Sequence, residues 1–471
     1  MAAWLLVLLT PLVVGCGSTS RVQERLASKM MARDYPGALA IVERERNGAY
    51  GGRNRLLYHL DRGMLLHVAG EYAASNAAFE VAKRIGEDLY TARLGNAGLS
   101  LMTNDYALDY AGENFERTLI HLFSSLNYRM LGDRESALVE IRQLGDYLRK
   151  LQVDSPNENV YQEDAFARYL SALLYESEGE LDSAFVDFKK AAEAYSDYRA
   201  VFSVPPPDSL LPDAERVAMR LGRWAREDLE AFGSEGRARV LPEGAGEIIV
   251  LHYNGLLPVK DQTKITVPFS EAWLMVLALQ ASARPSDAAK IQRATAVASQ
   301  IAGVDIVSVA FPKFVDRPYS IARMQVRVAD ALDTTSPTLV EDIGAIARKD
   351  LADRIVRIRT RAIARAAIKY ALQKAAEAAV QEAGGEYGAL LGAATQIAGN
   401  LARFASEQAD KRLWSTLPDE IWMSSIFVPA GSHDLRIDFH DAGGRIVESR
   451  VVSSVEVMPG QREFVIVRTV R

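Results

Sequence analysis

The sequence has little cysteine, little histidine and no long apolar run, and each shortage excludes a class of protein. A single cysteine among 471 residues excludes an internal disulfide framework and a cysteine-rich zinc site. The six histidines show no tight metal-ligand spacing, so we predict no metal site. No apolar stretch reaches the roughly 20 residues that a membrane-spanning helix needs. The net charge of -6 also argues against a dedicated nucleic-acid-binding protein.

Sequence motifs that carry catalysis are missing as well. There is no phosphate-binding loop that ends in Gly-Lys-Ser/Thr, no His-Glu-x-x-His and no nucleophile elbow. The composition is that of an ordinary folded chain, with 49% hydrophobic and 25% charged residues. At roughly 100–200 residues per domain, the length indicates about three domains. We therefore predict a protein that is not an enzyme and has no catalytic residue, no metal and no cofactor.

The single cysteine, Cys16, directly follows an apolar run over residues 4–14 and the small residue Gly15. The run has the length of the apolar part of a secretory leader. A small residue before cysteine resembles a bacterial lipobox, in which the thiol receives a diacylglyceryl group and cleavage makes the cysteine the new N-terminus. Several acyl chains together hold a protein stably on a membrane. We predict a leader over residues 1–15, lipidation of Cys16 and a short flexible tether over residues 16–20.

Two details of this segment bear on where the anchor places the protein. No Lys or Arg precedes the apolar run, so the positive charge before it comes only from the terminal amine. Gly17 rather than Asp follows the cysteine, which by analogy with bacterial lipoproteins favours the outer membrane over the inner one. We predict a protein that is attached to the outer membrane, faces the periplasm and meets no nucleic acid. The alternative is a buried first helix with an incidental cysteine.

Residues 21–235 have a helical period and a recurring pattern of small and aromatic residues. In tetratricopeptide repeats, small residues lie where the two helices of a unit meet, glycine lies in the turn, and aromatics fill the groove between units. The residues that we predict to pack such repeats are Gly63, Gly70, Tyr72, Phe79, Gly132, Ala137, Ala172, Gly179, Ala184 and Phe188. The turn glycines are more widely and less evenly spaced than the about 34 residues of a regular unit. Generic packed helical hairpins are therefore the alternative.

The C-terminal half mixes predicted strands and helices. Residues 240–335 and 418–471 contain β-branched apolar runs separated by turn signals, which predict strands. Residues 336–412 predict a helical hairpin, because Ser336-Pro337-Thr338 is typical of a helix N-terminus. The predicted fold class is α+β, with an N-terminal TPR-like α-solenoid followed by a mixed β domain with a long helical hairpin insertion. The last strands either complete a sheet begun near residue 247 or form a small sandwich.

Charged side chains concentrate in two places. The basic residues that predict a face for an anionic partner, on the first helix of the hairpin, are Arg354, Arg357, Arg361, Arg365 and Lys369. Ion pairs with the acidic solenoid are the alternative for this face, and the one that we favour. Asp105, Glu113 and Glu116 lie near His121 in the sequence. We predict that these acidic residues form a solvated helix face.

Several short motifs resemble a family of bacterial tetratricopeptide-repeat outer-membrane lipoproteins that is itself uncharacterised. The motifs are Leu60-Asp61-Arg62-Gly63, Leu101-Met102-Thr103-Asn104-Asp105, Phe115-Glu116-Arg117, Tyr253-Asn254-Gly255, Pro258-Val259-Lys260, Ala310-Phe311-Pro312-Lys313, Ala409-Asp410-Lys411-Arg412-Leu413-Trp414 and Leu417-Pro418. The resemblance covers nearly the whole mature chain. It implies an outer-membrane location, this order of elements and a setting similar to that of lipoproteins that accompany activators of peptidoglycan synthases. It implies no particular activity.

These observations predict a membrane-tethered periplasmic scaffold. Stacked helix pairs expose a concave groove that usually receives a peptide or a partner helix, so we expect an envelope protein as partner, in cell-wall or outer-membrane assembly. One alternative is an envelope enzyme that acts on peptidoglycan or polysaccharide through carboxylates of the C-terminal half. Another is an oligomeric subunit of an export or assembly machine, joined through the helical hairpin. The sequence leaves the oligomeric state open.

Overall fold

The computed structural model describes residues 15–95, 105–154, 161, 163–283, 285–301, 305–382 and 408–471. The apolar run of the predicted leader and most of the second helix of the predicted hairpin lie outside these ranges. The helices of the N-terminal half are α1 (Gly15–Met31), α2 (Tyr35–Arg44), α3 (Arg55–Val68), α4 (Tyr72–Gly95), α5 (Asn114–Met130), α6 (Arg134–Asp154), α7 (Ala165–Ser177), α8 (Leu181–Phe202), α9 (Leu210–Leu221) and α10 (Arg223–Glu230).

Helix α1 corrects the prediction of a flexible tether. The helix begins at Gly15, so residues 16–20 form its first turns and are not an extended linker. Val22, Leu26 and Met30 recur every fourth residue, and all three are buried in the core of the helical region. Burial of this apolar stripe stabilises the helix. The Gly-Ser-Thr composition at the start of the segment does not indicate a helix.

Helices α3 to α8 form three pairs, each joined by a tight turn. Gly70, Gly132 and Gly179 lie in these turns with φ of 81°, 75° and 77°, a left-handed conformation that favours glycine. Gly63 lies directly under the ring of Phe79, and a Cβ on Gly63 would come within 2.3 Å of that ring. The helices of the first pair therefore approach each other closely at this point.

The other predicted packing residues lie inside the same helical region. Ala137, Ala172, Ala184 and Phe188 are buried. Tyr72 is half-buried, and the centre of its ring is 6.0 Å from that of His67 on the preceding helix. One continuous hydrophobic core runs from α1 to α10 and extends into the C-terminal half.

The strands of the C-terminal half are β1 (Ala245–Asn254), β2 (Val259–Pro268), β3 (Ile306–Val315), β4 (Arg323–Val328), β5 (Asp333–Thr334), β6 (Thr338–Asp342), β7 (Glu420–Pro429), β8 (Gly431–His440), β9 (Ile446–Val457) and β10 (Arg462–Arg468). Its helices are α11 (Phe269–Leu279), α12 (Pro285–Ala298) and α13 (Ile343–Glu382). The largest sheet has the order β10-β1-β7-β5, and β6 also pairs with β7. Strand β1 pairs in parallel with β10 and antiparallel with β7. Of the last four strands, β7 and β10 therefore complete the sheet begun near residue 247, and β8 and β9 do not belong to it.

A second sheet, with the order β4-β8-β9, covers one face of the first. Ile248 and Val250 of β1 point into the core between the two sheets. Ile249 and Leu251, which alternate with them, point into the core of the helical region on the other face. Strand β1 is buried along its whole length, and the first sheet thus lies between the helices and the second sheet.

The helical insertion begins later than the sequence predicts. Residues 338–342 form β6, which pairs with β7, and the helix begins at Ile343 instead of at Ser336-Pro337-Thr338. Asp342 caps the helix, since its Oδ1 accepts a hydrogen bond from the N–H of Ala345 at 2.7 Å. Strand pairing and this cap outweigh the local helix signal at residue 336.

Helix α13 packs with α11, α12 and the β2–β3 hairpin around a separate hydrophobic core. Helices α11 and α12 lie within residues 240–335, a segment in which the runs that we singled out predict strands. Most of the second helix of the hairpin predicted over residues 336–412 lies outside the described residues. Among the described helices, none is both long enough and apolar enough to cross a membrane.

Candidate functional site

The inner face of the helical region, where the sequence predicts partner binding, is covered by the protein's own C-terminal half. The first helix of each pair makes these contacts. His67 on α3 stacks on Tyr253 of β1 at 5.7 Å, and Phe123 on α5 meets the same tyrosine ring edge-on at 5.7 Å. On α7, the carbonyl oxygen of Leu173 accepts a hydrogen bond from Arg462 of β10. The groove expected to receive a partner is therefore filled by this sheet.

Trp414 is the largest of the fully buried side chains at this contact. Its ring meets Phe79 edge-on at 5.7 Å and Phe123 at 6.0 Å, so it fills the space between the first two helix pairs. Its indole N–H donates to the hydroxyl of Thr416 at 3.0 Å, and its backbone N–H donates to Glu116 Oε1 at 2.7 Å. Both N–H groups of Trp414 are thus hydrogen-bonded inside the core.

A buried ion network joins the third helix pair to the sheet. Arg462 donates to Glu247 Oε2 at 2.6 Å and to Glu176 Oε2 at 3.0 Å. Glu176 also accepts two hydrogen bonds from Arg216, each at 2.7 Å. Burial raises the pKa of Glu247, but Arg462, Arg216 and Arg239 outweigh burial and lower it to about 2. Both carboxylates therefore stay ionised and hold the guanidinium of Arg462 in one place.

Glu116 is buried and Glu113 is half-buried, which corrects the prediction that these two residues belong to a solvated face. The side chain of Asp105 lies outside the described residues. Glu113 accepts from Lys260 at 2.5 Å and from Arg354 at 2.8 Å, so it connects α5 to β2 and α13. Glu116 accepts from the Tyr110 hydroxyl at 2.6 Å and from the N–H of Glu113 at 2.9 Å. Burial opposes ionisation of Glu113, yet its two cationic partners keep its pKa below the usual range. The prediction was wrong because local sequence shows neither partner.

Glu116 carries a testable pH dependence. Burial and the neighbouring charge of Glu113 raise the pKa of Glu116 to about 7. The folded state thus favours the protonated carboxyl, and Glu116 loses stabilising effect as the pH rises from about 4.3, the unfolded value, through 7. Relative to Glu116→Gln, we expect the free energy of unfolding of the wild type to fall by about 2–3 kcal/mol between pH 5 and pH 8. Urea unfolding of both proteins at these two pH values measures the difference.

The wild type and Glu116→Gln share all other titrating groups, so the contributions of those groups to the pH dependence of stability cancel in the difference. Glu71→Gln, on an exposed residue in the turn before α4, is the matched control and should keep the pH dependence of the wild type. Parallel pH profiles for the wild type and Glu116→Gln would contradict the assignment.

His67 serves a structural contact. His67 is buried, with Nδ1 2.5 Å from Asn127 Oδ1 and Nε2 3.2 Å from the Tyr253 hydroxyl. Burial lowers the pKa of His67 to about 4, so the ring is neutral near pH 7. Within the described ranges, no group of three or more histidine, cysteine, aspartate or glutamate residues could hold a metal ion.

The basic face predicted on α13 is not a continuous exposed surface. Arg354 is half-buried and is paired with Glu113 and Asp350. Arg365 is buried, Arg361 and Lys369 are half-buried, and Arg357 is exposed. Arg354 and Arg365 are thus turned into the protein and are not available to an anionic partner. The alternative prediction for this face was ion pairs with the helical region, and the pair between Arg354 and Glu113 is such an ion pair.

A cleft with a volume of about 930 Å³ lies beside helix α1. One wall is α1 from Ser20 to Ala32, and the other is formed by the start of β2, residues 315–319 and the last two residues. Ser20 lies one helical turn after Cys16, about 6 Å along the helix axis. The cleft therefore opens next to the predicted lipidation site.

Most of this cleft's surface is apolar, but charged side chains of both signs also line it. Among the described residues, two of its cations lack an ion pair, the exposed Arg471 and the half-buried Arg317. The apolar side chains include Ala27, Val259 and Met31, and Met31 is 49% exposed. The guanidinium of Arg317 donates to the carbonyl oxygen of Ser415 at 3.4 Å and has no ion-pair partner among the described residues. Burial lowers the pKa of Arg317 to about 10, against the attraction of Asp61 and Glu24. An anionic group that enters the cleft would offset this cost.

Sequence reasoning missed the residues that matter most here. Arg462 and Arg317 are single arginines without a motif around them. Trp414 lies in one of the motifs behind the family resemblance, and a tryptophan in a segment without helical or strand period was a usable signal of an anchor. The packing residues that the sequence does identify hold the helix pairs together and do not line the cleft.

Comparisons with known proteins identify no family. No model of a protein family matches the chain. A comparison with curated proteins also gives no match. Among solved structures, the chain is similar to the Rap conjugation gene regulator of the plasmid pLS20 in complex with the Phr* peptide, with 13% identity and a TM-score of 0.27. That match covers 49% of this chain and 58% of the regulator.

Proposed function

We propose that the protein is a lipoprotein scaffold, anchored through Cys16 to the periplasmic face of the outer membrane, that binds an envelope protein partner. The observation that carries the proposal is the cleft beside α1, one helical turn from the cysteine. A partner held there lies close to the membrane surface because the anchor and the binding site share one helix. Helix α1 is joined to the main core, so the anchor connects directly to the folded body.

The cleft replaces the inner groove as the binding site in this proposal. The groove is filled by the sheet and by Trp414, whereas the cleft is open and has an apolar lining. Concave pockets of about 300–1,000 Å³ with a mainly apolar surface and placed polar groups are typical of ligand sites. Arg317 is the half-buried one of the two lining cations that have no ion pair among the described residues. The occupant we propose is therefore a polypeptide segment with an acidic side chain between apolar ones.

Site-specific photo-crosslinking tests the scaffold proposal in intact cells. A photoreactive side chain at Met31 lies in the cleft, while the same side chain at Met219 on α9 is equally exposed but remote from the cleft lining. We expect Met31 to crosslink to a segment of an envelope protein that contains a carboxylate, and Met219 not to do so. Arg317→Gln should lower the yield by about tenfold, and Cys16→Ala should release the protein from the membrane fraction.

Several outcomes would overturn the proposal. Equal yields at Met31 and Met219, or a yield that is independent of Arg317, would reject the cleft as the binding site. Crosslinks to a second copy of the chain would favour the assembly subunit, and a phospholipid adduct would replace the protein partner with lipid. Membrane attachment that survives Cys16→Ala would reject the anchor. Circular dichroism of Arg317→Gln shows whether its fold is intact.

A further inference from the structure

A second pocket, of about 570 Å³, lies on the helical region between the loop after α2 and the helices α3 and α4. It is lined by Arg46, Asn47, Tyr50, Gly51, Gly52, Arg55, Tyr58, His59, Val81, Arg84, Ile85 and Asp88. Three arginines and one aspartate give this lining a net positive charge. The protein as a whole is acidic, with a net charge of -6, so the pocket has the opposite sign to the molecule.

The positive charge is not neutralised within the protein. Within the part of the chain that the structure describes, neither Arg46 nor Arg84 has an ion-pair partner, and both are exposed at the pocket. Arg46 lies over the ring of Tyr58, with its guanidinium carbon 5.4 Å from the ring centre. Arg55 is paired only with Asp109, at 3.6 Å on the surface, where such a pair contributes little. Two arginines are therefore available to a ligand and a third is weakly engaged.

The pKa of His59, which lines the pocket, is affected by the same positive charges. Burial lowers the pKa of His59 to about 4, and Arg62, Arg46 and Arg55 lower it further. Glu43 opposes them, but its carboxylate already accepts from Tyr58 at 2.7 Å and from Arg62 at 2.9 Å. The ring of His59 is thus neutral near pH 7 and can donate or accept a hydrogen bond.

The remaining lining suits a ligand with an organic part. Val81 and Ile85 form an apolar wall on α4, and the ring of Tyr58 lies on the other side. Gly51 and Gly52 lie at a 3₁₀ turn (Gly52–Asn54) that leads directly into α3, and among the described residues no side chain caps the N-terminus of α3. The helix dipole therefore adds to the positive potential of the arginines. A volume of about 570 Å³ also exceeds what a bare inorganic anion would fill.

We propose that this pocket binds a phosphate ester, with the phosphate between Arg46 and Arg84 and its organic substituent against Val81 and Ile85. A phosphate monoester carries up to two negative charges at neutral pH, which match two unpaired arginines. A single carboxylate would neutralise only one of them. Planar guanidinium groups also bind phosphate oxygens in a bidentate manner. The site is independent of the lipid anchor and of the cleft beside α1.

Binding is measured on the purified full chain by calorimetry and by the NMR signals of His59. The probes are glucose 1-phosphate, inorganic phosphate, glucose and vesicles that contain phosphatidylglycerol. We expect glucose 1-phosphate to bind more tightly than inorganic phosphate, and glucose not to bind. Bound phosphate should raise the pKa of His59 from about 4 towards its usual value, while the buried ring of His67 stays unchanged.

Arg46→Gln and Arg84→Gln should each weaken glucose 1-phosphate binding by about tenfold or more. Arg44→Gln is the matched control, because Arg44 is exposed on the neighbouring helix and does not line the pocket. The unchanged His67 signal shows that each variant is folded. Vesicle binding that glucose 1-phosphate displaces would identify a lipid headgroup as the source of the phosphate, and vesicle binding that is absent would identify a soluble ester.

Three results would overturn the proposal. The first is glucose 1-phosphate binding that is equal in the wild type and in both pocket variants. The second is saturation without a change in the His59 signal. The third is tighter binding of a polyglutamate peptide than of glucose 1-phosphate, which would replace the phosphate ester with an acidic polypeptide.

Discussion

Replacing Trp414 with alanine is expected to lower the free energy of unfolding by about 3–5 kcal/mol. The indole is fully buried and packs between Phe79 and Phe123, which belong to different helix pairs. Its removal leaves a cavity at the contact between the helical region and the C-terminal half, and it removes the indole donor to Thr416. Equilibrium unfolding in urea, followed by circular dichroism, measures the change.

Trp224→Ala is the matched control for this experiment. Trp224 is 54% exposed and meets Phe185 edge-on at 5.4 Å on the outside of the helical region. Its replacement should lower the free energy of unfolding by about 1 kcal/mol or less. Similar losses for the two tryptophans would show that Trp414 does not anchor the two halves of the protein.

Arg462→Ala is expected to destabilise the protein by a similar amount, about 3–5 kcal/mol. The substitution leaves the carboxylate of Glu247 buried with only Arg239 as an ionic partner at 3.2 Å, and Glu176 keeps only Arg216. The carbonyl oxygen of Leu173 also loses a donor. The loss arises because two buried carboxylates each lose one of their two cationic partners. Equilibrium unfolding in urea at pH 7 measures it.

A double-mutant cycle separates the charge effect from the loss of packing. Glu247→Gln in the Arg462→Ala background removes one of the stranded charges, so the double variant should be less destabilised than the sum of the single variants. Arg223→Ala, on an arginine that is 90% exposed and paired only with Glu227, is the control and should cost about 0.5 kcal/mol or less. Additive losses in the cycle would count against a buried ionic contact.

The parts of the fold that the sequence predicts are those with local signals. The turn glycines and the small and aromatic residues indicate the helix pairs because these packing demands recur along one chain segment. The apolar run Ile248–Leu251 indicates a strand because β1 is buried on both faces, so that consecutive positions are apolar. Thr338–Asp342 was mistaken for a helix start because its strand identity depends on pairing with β7, about 80 residues further on. A helix does follow this segment, but Asp342 caps its N-terminus and Ser336 does not.

The candidate sites were less accessible to prediction because each is assembled from distant segments. The cleft beside α1 needs Ser20, Val259 and Arg317 to meet, and nothing in their local sequence indicates this. Glu113 looks like a surface residue until Lys260 and Arg354 are brought to it by two other elements. Charged residues predict a solvated surface on average, and buried ion pairs are the exception that tertiary contacts create.

The parallel pairing of β1 with β10 has a consequence for how the chain matures. Glu247 lies opposite Arg462, so the strand that pairs with this edge of β1 is synthesised 215 residues later. Until that neighbour emerges, β1 exposes an apolar edge that invites aggregation. Holding chaperones would thus have to shield the nascent polypeptide almost to the end of its synthesis.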